Sequence, residues 1–253
     1  IMMFLPRLAT SKSARFVFSS IFKSLTMKRI SNVINVSMSL ILSSGSVVGM
    51  PMLVEMEPTA RCNLRCFSCP TGLGRLGRPV GDMKYEDFKK VIDEIGDSVL
   101  ALVLYLHGEP FLNKNIYKMI NYAKRKGVFV VVSTNGTVLD IKKLVKSGLQ
   151  YLIVCLDGAT PETYNKYRIG GNFSKVVDNI KSIVKERGRA GSKTPFIDLH
   201  FIANRYNEHE IPDIKELSKE LGVDNLVIKK FVPPPFVIQS KNPRKYGKIL
   251  SFL

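Results

Sequence analysis

The sequence predicts an α/β fold built on a parallel sheet. Two observations support this prediction. Short apolar runs rich in β-branched residues alternate with segments of helical periodicity, and polar turns follow four successive apolar runs. Such alternation implies parallel strands joined by right-handed crossovers. Both a doubly wound sheet and a barrel satisfy the pattern.

Six strands are predicted, each a short apolar run bounded by turn residues. In chain order they cover Met52–Met56, Val99–Leu106, Val128–Ser133, Tyr151–Leu156, Phe196–Ile202 and Asn225–Lys229. Helices are predicted where apolar residues recur at helical spacing, and several end at a glycine. They cover Met83–Ile95, Asn113–Lys126, Asp140–Lys146, Phe173–Lys185 and Ile211–Leu221. These elements form one predicted unit over residues 51–232, and residues 233–253 are predicted to be a linker or the start of a truncated C-terminal region.

The first 50 residues differ in composition from the rest. They hold six Lys/Arg, eleven serines and no Asp or Glu, a composition that also mimics an organellar transit peptide. Serines and asparagines dilute the uncharged stretch Ile30–Gly49, which therefore falls short of a membrane span. Apolar residues at helical spacing between Ile21 and Ile34 predict a basic helical extension over residues 1–50, packed on the domain or in peripheral contact with a membrane.

The overall charge gives little support for nucleic-acid binding. The net charge of the 253-residue chain is +17, but residues 51–239 hold 28 bases against 21 acids. No Lys/Arg block with interleaved aromatic residues occurs, as a nucleic-acid groove would require. Four cysteines are too few for a disulfide framework and suggest a reducing compartment, so a cytoplasmic location is predicted.

Three of the cysteines form a compact loop motif. Cys62, Cys66 and Cys69 have the spacing C-x3-C-x2-C, directly after the first predicted strand. A structural zinc ion usually takes four ligands, and ferredoxin-type clusters use four cysteines. The three histidines of the chain are scattered, so no fourth ligand is evident. Three thiolates without a fourth ligand would leave one corner of a cluster free for an exogenous ligand, although a zinc or core role stays open.

The cysteine motif in this position resembles that of the radical SAM superfamily. Further motifs of the chain agree with the resemblance, namely His107-Gly108-Glu109-Pro110, Ser133-Thr134-Asn135-Gly136 and Cys155-Leu156-Asp157-Gly158. The segments around Glu57-Pro58-Thr59 and Ala159-Thr160-Pro161 look closest to the SPASM/Twitch branch. The resemblance covers about residues 52–230 and implies a partial (β/α)6 TIM-like barrel. That branch carries a cysteine-rich C-terminal domain, and because no cysteine follows Cys155, this domain is predicted to be absent or cut off.

The resemblance also implies a set of site residues. Cys62, Cys66 and Cys69 would hold a 4Fe–4S cluster, whose fourth iron would bind the amino and carboxylate groups of S-adenosylmethionine (SAM). The implied SAM contacts are Gly108, Glu109, Pro110, Asn135, Asp157 and Arg168. Each of the last three also has an ordinary explanation, because Asn-Gly and Asp-Gly are turn signals and an arginine often forms a surface ion pair.

The chemistry implied by the resemblance is reductive cleavage of SAM to a 5′-deoxyadenosyl radical. The radical would take a hydrogen atom from a peptide, a cofactor precursor or a small metabolite, in an oxidoreductase or transferase reaction. An external electron donor of the flavodoxin or ferredoxin type would reduce the cluster. The alternative is a non-catalytic module that binds a metal or a cluster as a scaffold.

Overall fold

The computed structural model describes residues 12–43 and 45–233. Within them the chain forms one six-stranded parallel sheet whose strands follow one another in chain order. The strands are β1 (Leu53–Glu55), β2 (Ala101–Val103), β3 (Phe129–Thr134), β4 (Tyr151–Cys155), β5 (Phe196–Ala203) and β6 (Asn225–Lys230). The predicted α/β class and parallel sheet are confirmed.

Among the described residues, two helices precede β1 and six lie between successive strands. They are α1 (Lys12–Lys23), α2 (Met27–Ile41), α3 (Tyr85–Ile95), α4 (Ile116–Arg125), α5 (Ile141–Ser147), α6 (Pro161–Tyr167), α7 (Phe173–Arg189) and α8 (Ile211–Glu220). Helices α3 to α8 share one core with one face of the sheet, to which β4 contributes Leu152 and Val154. The opposite face carries a smaller cluster, with Tyr151 and Ile153 from the same strand. A doubly wound sheet has helices on both faces, whereas a barrel keeps its crossover helices outside, so the structure favours the partial barrel.

Helix α1 packs on the face of the sheet that carries the smaller cluster, the inner face of the barrel, at the end where the strands begin. The ring of Phe16 stacks on Phe196 at a centroid distance of 4.7 Å and lies 6.3 Å from Tyr151. Nearby, the buried Asp198 carboxylate accepts a hydrogen bond from the Tyr151 hydroxyl at 2.5 Å and a long one from Ser13 at 3.5 Å. Since Phe196 and Tyr151 begin β5 and β4, α1 closes the end of the barrel at which the strands start.

Helix α2 is held by one buried arginine. The Arg29 guanidinium donates to the carbonyl oxygens of Val99 at 3.1 Å and of Gly96 and Lys126, each at 2.8 Å. The carbonyls of Gly96 and Lys126 lie at the C-terminal ends of α3 and α4, and that of Val99 precedes β2. The guanidinium therefore accounts for acceptors that have no partner within the helices. Gly127 lies against Arg29, because a Cβ there would stand 2.8 Å from its Nη1. The N-terminal helices are thereby attached to the amino ends of the strands.

The helices and strands differ from the prediction at two places, one set by strand pairing and the other by a helix cap. The apolar run Val99–Leu106 forms a strand only over Ala101–Val103, where both neighbouring strands pair with it. Helix α6 is not among the predicted helices, although Thr160 caps it by accepting a hydrogen bond from the Thr163 amide and Pro161 opens its first turn.

The predicted extension and C-terminal segment lie partly outside the described residues. Residues 1–11 and 234–253 are not described. Among residues 12–43 and 45–233, every helix is too short or too polar to cross a membrane.

Candidate active site

The loops that follow the first four strands meet at the carboxyl edge of the sheet. They enclose a cavity of about 210 Å³. Its lining is Cys62, Leu64, Cys66, Cys69, Tyr105, Leu106, His107, Gly108, Glu109, Ser133, Thr134, Asn135, Cys155, Tyr167 and Arg168. In parallel α/β folds this edge carries the ligand site. The structure therefore brings together seven of the nine predicted site residues, while Pro110 and Asp157 do not line the cavity.

The cysteine loop presents its three thiols to this cavity. Cys66 is buried, whereas Cys62 and Cys69 are half-buried, and all three are free thiols. The Cys69 amide donates to the Cys66 carbonyl at 3.2 Å, and Gly72 packs so closely on the loop that a Cβ would lie 2.4 Å from that carbonyl oxygen. Burial raises the pKa of Cys66 to about 11 and also raises that of Cys62. Binding a metal centre would therefore release protons from thiols.

The donor chemistry of the three thiols fits an iron–sulfur cluster. In the described part of the chain, no three His, Cys, Asp or Glu side chains are placed to hold one ion together. A 4Fe–4S cluster has a different requirement, because each cysteine binds its own iron and the sulfurs surround a cube. Soft thiolates are the ligands of such clusters. Three free thiols around one cavity fit this group.

The Gly108-Glu109-Pro110 turn joins neighbouring loops. A Cβ at Gly108 would lie 1.9 Å from the Thr59 carbonyl oxygen, so glycine is required where the loops after β1 and β2 touch. Pro110 opens a short 3₁₀ turn, Pro110–Leu112, and is buried.

The Glu109 carboxylate is buried and already hydrogen-bonded. It accepts from the Asn135 amide at 2.7 Å, from the Thr134 hydroxyl at 2.8 Å and from the Phe111 amide at 3.2 Å. Burial nevertheless raises the pKa of Glu109 to about 7. Any contact of this carboxylate with a SAM amino group would add to these three bonds, and its evident role is to tie the turn after β2 to the end of β3.

Asn135 connects the turn after β3 with the cysteine loop. Its side-chain Nδ2 donates to Asn63 Oδ1 at 3.0 Å and lies 3.9 Å from Cys62 Sγ. Its Oδ1 accepts from the Thr137 amide at 2.9 Å, as in an Asx turn. The residue thus has both the turn role and a place beside a candidate cluster ligand.

Asp157 orients Arg168. Its Oδ2 accepts from Arg168 Nε at 2.6 Å and from Nη2 at 2.5 Å, and its Oδ1 accepts from the Ile202 amide at 2.7 Å. Asp157 is one of the implied SAM contacts, and in this structure its carboxylate faces the Arg168 guanidinium. Burial would lower the pKa of Arg168, but the charge of Asp157 acts together with Cys66, Cys155 and Tyr167 to hold that pKa well above its usual value. Arg168 Nη1 lies 3.7 Å from Cys66 Sγ.

Several cavity residues were not among the predicted site residues. Tyr105 and Ser133 line the cavity beside Cys155, and the Ser133 hydroxyl lies 3.6 Å from Cys155 Sγ. Tyr167 also lines it and shares a 2.9 Å hydrogen bond with Ser68. The available signal was strand alternation, because the inner-face residues Tyr151 and Ile153 lie four and two positions before Cys155.

Comparison with known proteins decides the family. A family model described as the radical SAM superfamily matches residues 56–218. The chain belongs to the radical SAM superfamily. It is 31% identical over 211 residues to the AdoMet-dependent heme synthase of Methanosarcina barkeri, a match that covers 81% of this chain and 58% of that protein. It is 24% identical over 195 residues to the PqqA peptide cyclase of Bradyrhizobium diazoefficiens, covering 74% and 48% respectively.

Solved structures show the same fold. SuiB of Streptococcus suis bound to S-adenosylmethionine superposes with a TM-score of 0.64 at 14% identity, over 84% of this chain and 49% of that chain. The partial barrel is therefore confirmed, as are the likeness to SPASM/Twitch-type families and the family's cofactors, a 4Fe–4S cluster and SAM. This radical SAM chain spans about half the length of the relatives that it matches.

Proposed function

We propose that this chain is the catalytic core of a radical SAM enzyme that acts on a peptide or a small molecule. The supporting observation is that Cys62, Cys66, Cys69 and Arg168 line one cavity at the carboxyl edge of the sheet. When bound there, the cluster and SAM supply reductive cleavage of SAM to a 5′-deoxyadenosyl radical that abstracts hydrogen from the substrate. The three thiolates would hold the cluster.

The remaining side chains bind and orient in this proposal. Asp157 fixes Arg168 with Nη1 at 3.7 Å from Cys66 Sγ, and in this proposal the guanidinium would pair with the SAM carboxylate. Asn135 offers its amide beside Cys62. Glu109 and Gly108 hold the loops around the cavity in register, which limits the entry of water.

The substrate class draws support from relatives. SuiB has been solved with the precursor peptide SuiA, and anSMEcpe with the peptide Cp18Cys. Other relatives are a peptide cyclase and a heme synthase. We therefore include in the proposal a peptide, a cofactor precursor or another small metabolite as substrate.

An external electron donor of the flavodoxin or ferredoxin type is part of the proposal. Arginines are exposed in and after the cysteine loop, at Arg61, Arg65, Arg75 and Arg78. Arg61 is paired with Asp82 and Arg78 with Glu57, so these two contribute less net charge to the rim. Positive charge that stays exposed there would suit an acidic electron-transfer protein, because complementary charges guide encounter. Free thiols favour a reducing compartment, so a cytoplasmic location is also proposed.

The proposal is tested by anaerobic reconstitution of the full chain with iron and sulfide, followed by dithionite and SAM. We expect iron–sulfur absorption and formation of 5′-deoxyadenosine. A calorimetric SAM titration separates the alternative scaffold function, which would show cluster binding without SAM affinity. Absence of 5′-deoxyadenosine from a chain that holds its cluster and binds SAM would contradict the catalytic proposal.

A further inference from the structure

Helix α2 exposes most of its apolar side chains to solvent and buries three polar ones against the protein. The inward residues include Arg29, Asn32 and Ser39, all buried. With about 3.6 residues per turn, the outward residues fall on the opposite side, within a face of about 80°. They are Met27, Ile30, Ile34, Met38 and Ile41, exposed by 81%, 38%, 55%, 48% and 74% respectively. We call these five residues the α2 apolar stripe.

The inward side of α2 is held mainly by polar contacts, with Val36 as the apolar residue buried there. Arg29 donates to backbone carbonyls of the barrel, as described above. Asn32 accepts from the Met50 amide at 2.8 Å and donates to the Met50 carbonyl at 3.0 Å, while the Ser39 hydroxyl accepts from the Val48 amide at 3.0 Å. An amphipathic helix on a soluble domain normally turns its apolar face inward. This orientation of α2 leaves the stripe exposed in the part of the chain that the structure describes.

Helix α1 also exposes apolar side chains and adds positive charge. Phe18 and Phe22, one helical turn apart, are 53% and 75% exposed. Lys12, Arg15 and Lys23 on the same helix are exposed as well. Residues 1–50 hold six bases and no acid, and the acid that pairs here, Asp97, comes from the barrel and contacts Lys28 at 3.1 Å. Exposed aromatic and aliphatic residues flanked by bases are typical of helices that bind at a membrane surface.

We propose that α1 and the α2 apolar stripe dock this chain onto an anionic membrane surface. The charge pattern favours lipid over a second copy, because two copies meeting through this acid-free surface would bring like charges together. The stripe would enter the acyl boundary while Lys12, Arg15 and Lys23 contact acidic headgroups. This inference is independent of the proposed radical chemistry.

The position of the docking surface fixes the orientation of the active site. Arg29 attaches α2 at Val99 and Lys126, just before β2 and β3, whereas the cysteine cavity lies where the strands end. Docking through α2 would leave the cavity on the far side of the barrel, facing water. The SAM site would stay open to water-soluble partners while the chain is bound.

Vesicle co-sedimentation of the full chain tests the proposal. The probes are vesicles of phosphatidylcholine alone and of phosphatidylcholine mixed with phosphatidylglycerol. We expect binding to the anionic vesicles that weakens with salt, and at least about tenfold weaker binding by the variant I30S/I34S/M38S, because apolar insertion is lost. Variant R15E/K23E should lose the preference for anionic lipid. Matched controls are V91S on α3, also an exposed apolar residue, and K215E on α8, an exposed base; both should bind normally.

Each outcome is decisive. Circular dichroism verifies that a variant is folded, and if the triple variant unfolds, R15E/K23E still tests the surface. The proposal would be overturned if the chain does not bind anionic vesicles. It would also be overturned if both surface variants bind these vesicles as tightly as the unaltered chain does. Self-association of the chain that I30S/I34S/M38S abolishes, without vesicle binding, would also overturn it and identify a protein interface instead. Alkylation of the cavity thiols in the metal-free chain should proceed equally with and without vesicles, whereas protection would overturn the orientation.

Discussion

The Asp157 carboxylate fixes Arg168 through Nε at 2.6 Å and Nη2 at 2.5 Å, leaving Nη1 at 3.7 Å from Cys66 Sγ. Asp157 is fully buried, and the Arg168 side chain is 13% exposed. A buried carboxylate is stable as an anion only when it is paired. The pair therefore stabilises the fold and at the same time places a cation beside a candidate cluster ligand.

The variant D157N should separate these two roles. Removing one charge of a buried pair costs about 3–5 kcal/mol of unfolding free energy, because the partner stays buried and uncompensated. We also expect weaker SAM binding, since Arg168 loses its orientation. Chemical denaturation and a SAM titration of the reconstituted protein measure the two effects.

Asp224 provides a matched control for this experiment. It accepts from Arg187 Nη1 at 2.5 Å and from the Ile197 amide at 2.7 Å, the same kinds of donor that Asp157 has, but it does not line the cavity. D224N should lower stability and leave SAM affinity unchanged. Equal SAM affinity in D157N and wild-type protein would show that the pair is purely structural.

Alanine substitution of the cysteines should distinguish ligands from neighbours. C62A, C66A and C69A should each lose the visible absorption and most of the iron of the reconstituted protein, because each removes one thiolate of the cluster. C155A removes a fourth thiol from the same cavity and should retain both signals. Loss of the cluster in C155A, or its retention in C66A, would require a different ligand set.

Gly108 should not tolerate a side chain. G108A would place a Cβ 1.9 Å from the Thr59 carbonyl oxygen, and we expect a loss of about 1–3 kcal/mol of unfolding free energy with impaired cluster incorporation. The control is G188A in α7, where a Cβ meets no atom within 4 Å. In that helix the substitution should stabilise by up to about 1 kcal/mol. A harmless G108A would mean that the loop contact is not needed.

The pH dependence of stability should reveal Glu109 in the metal-free chain. Burial raises its pKa from 4.5 to about 7, so folding disfavours the ionised form. Its contribution to stability is therefore greatest below pH 4.5 and is lost as the pH rises through 7. Relative to E109Q, the unfolding free energy of the wild type should fall over that window by as much as about 1.4 kcal/mol per pH unit. Denaturant titrations at several pH values measure this difference, and parallel curves for the two proteins would contradict it.

The sequence predicted the helices and strands better than the side-chain contacts between them. Strands such as Val128–Ser133 were predictable because β-branched runs and glycine stops act locally. The cysteine loop was predictable because its three cysteines lie within eight residues. The partner of Asp157 was not, because the carboxylate meets Arg168 only after α6 has turned the chain. Likewise, Glu109 contacts Asn135 through the pairing of β2 with β3. Tertiary contacts of this kind leave no spacing signal in a single sequence.

The central claim is that one iron of the cluster has no cysteine ligand and binds SAM. The most direct test is electron paramagnetic resonance of the reduced, reconstituted full chain with and without SAM. We expect a 4Fe–4S signal whose g values shift when SAM is added, with the shift weakened in D157N and unchanged in D224N. A cluster signal that is indifferent to saturating SAM, or iron bound without any cluster signal, would contradict a three-thiolate cluster with a free site for SAM.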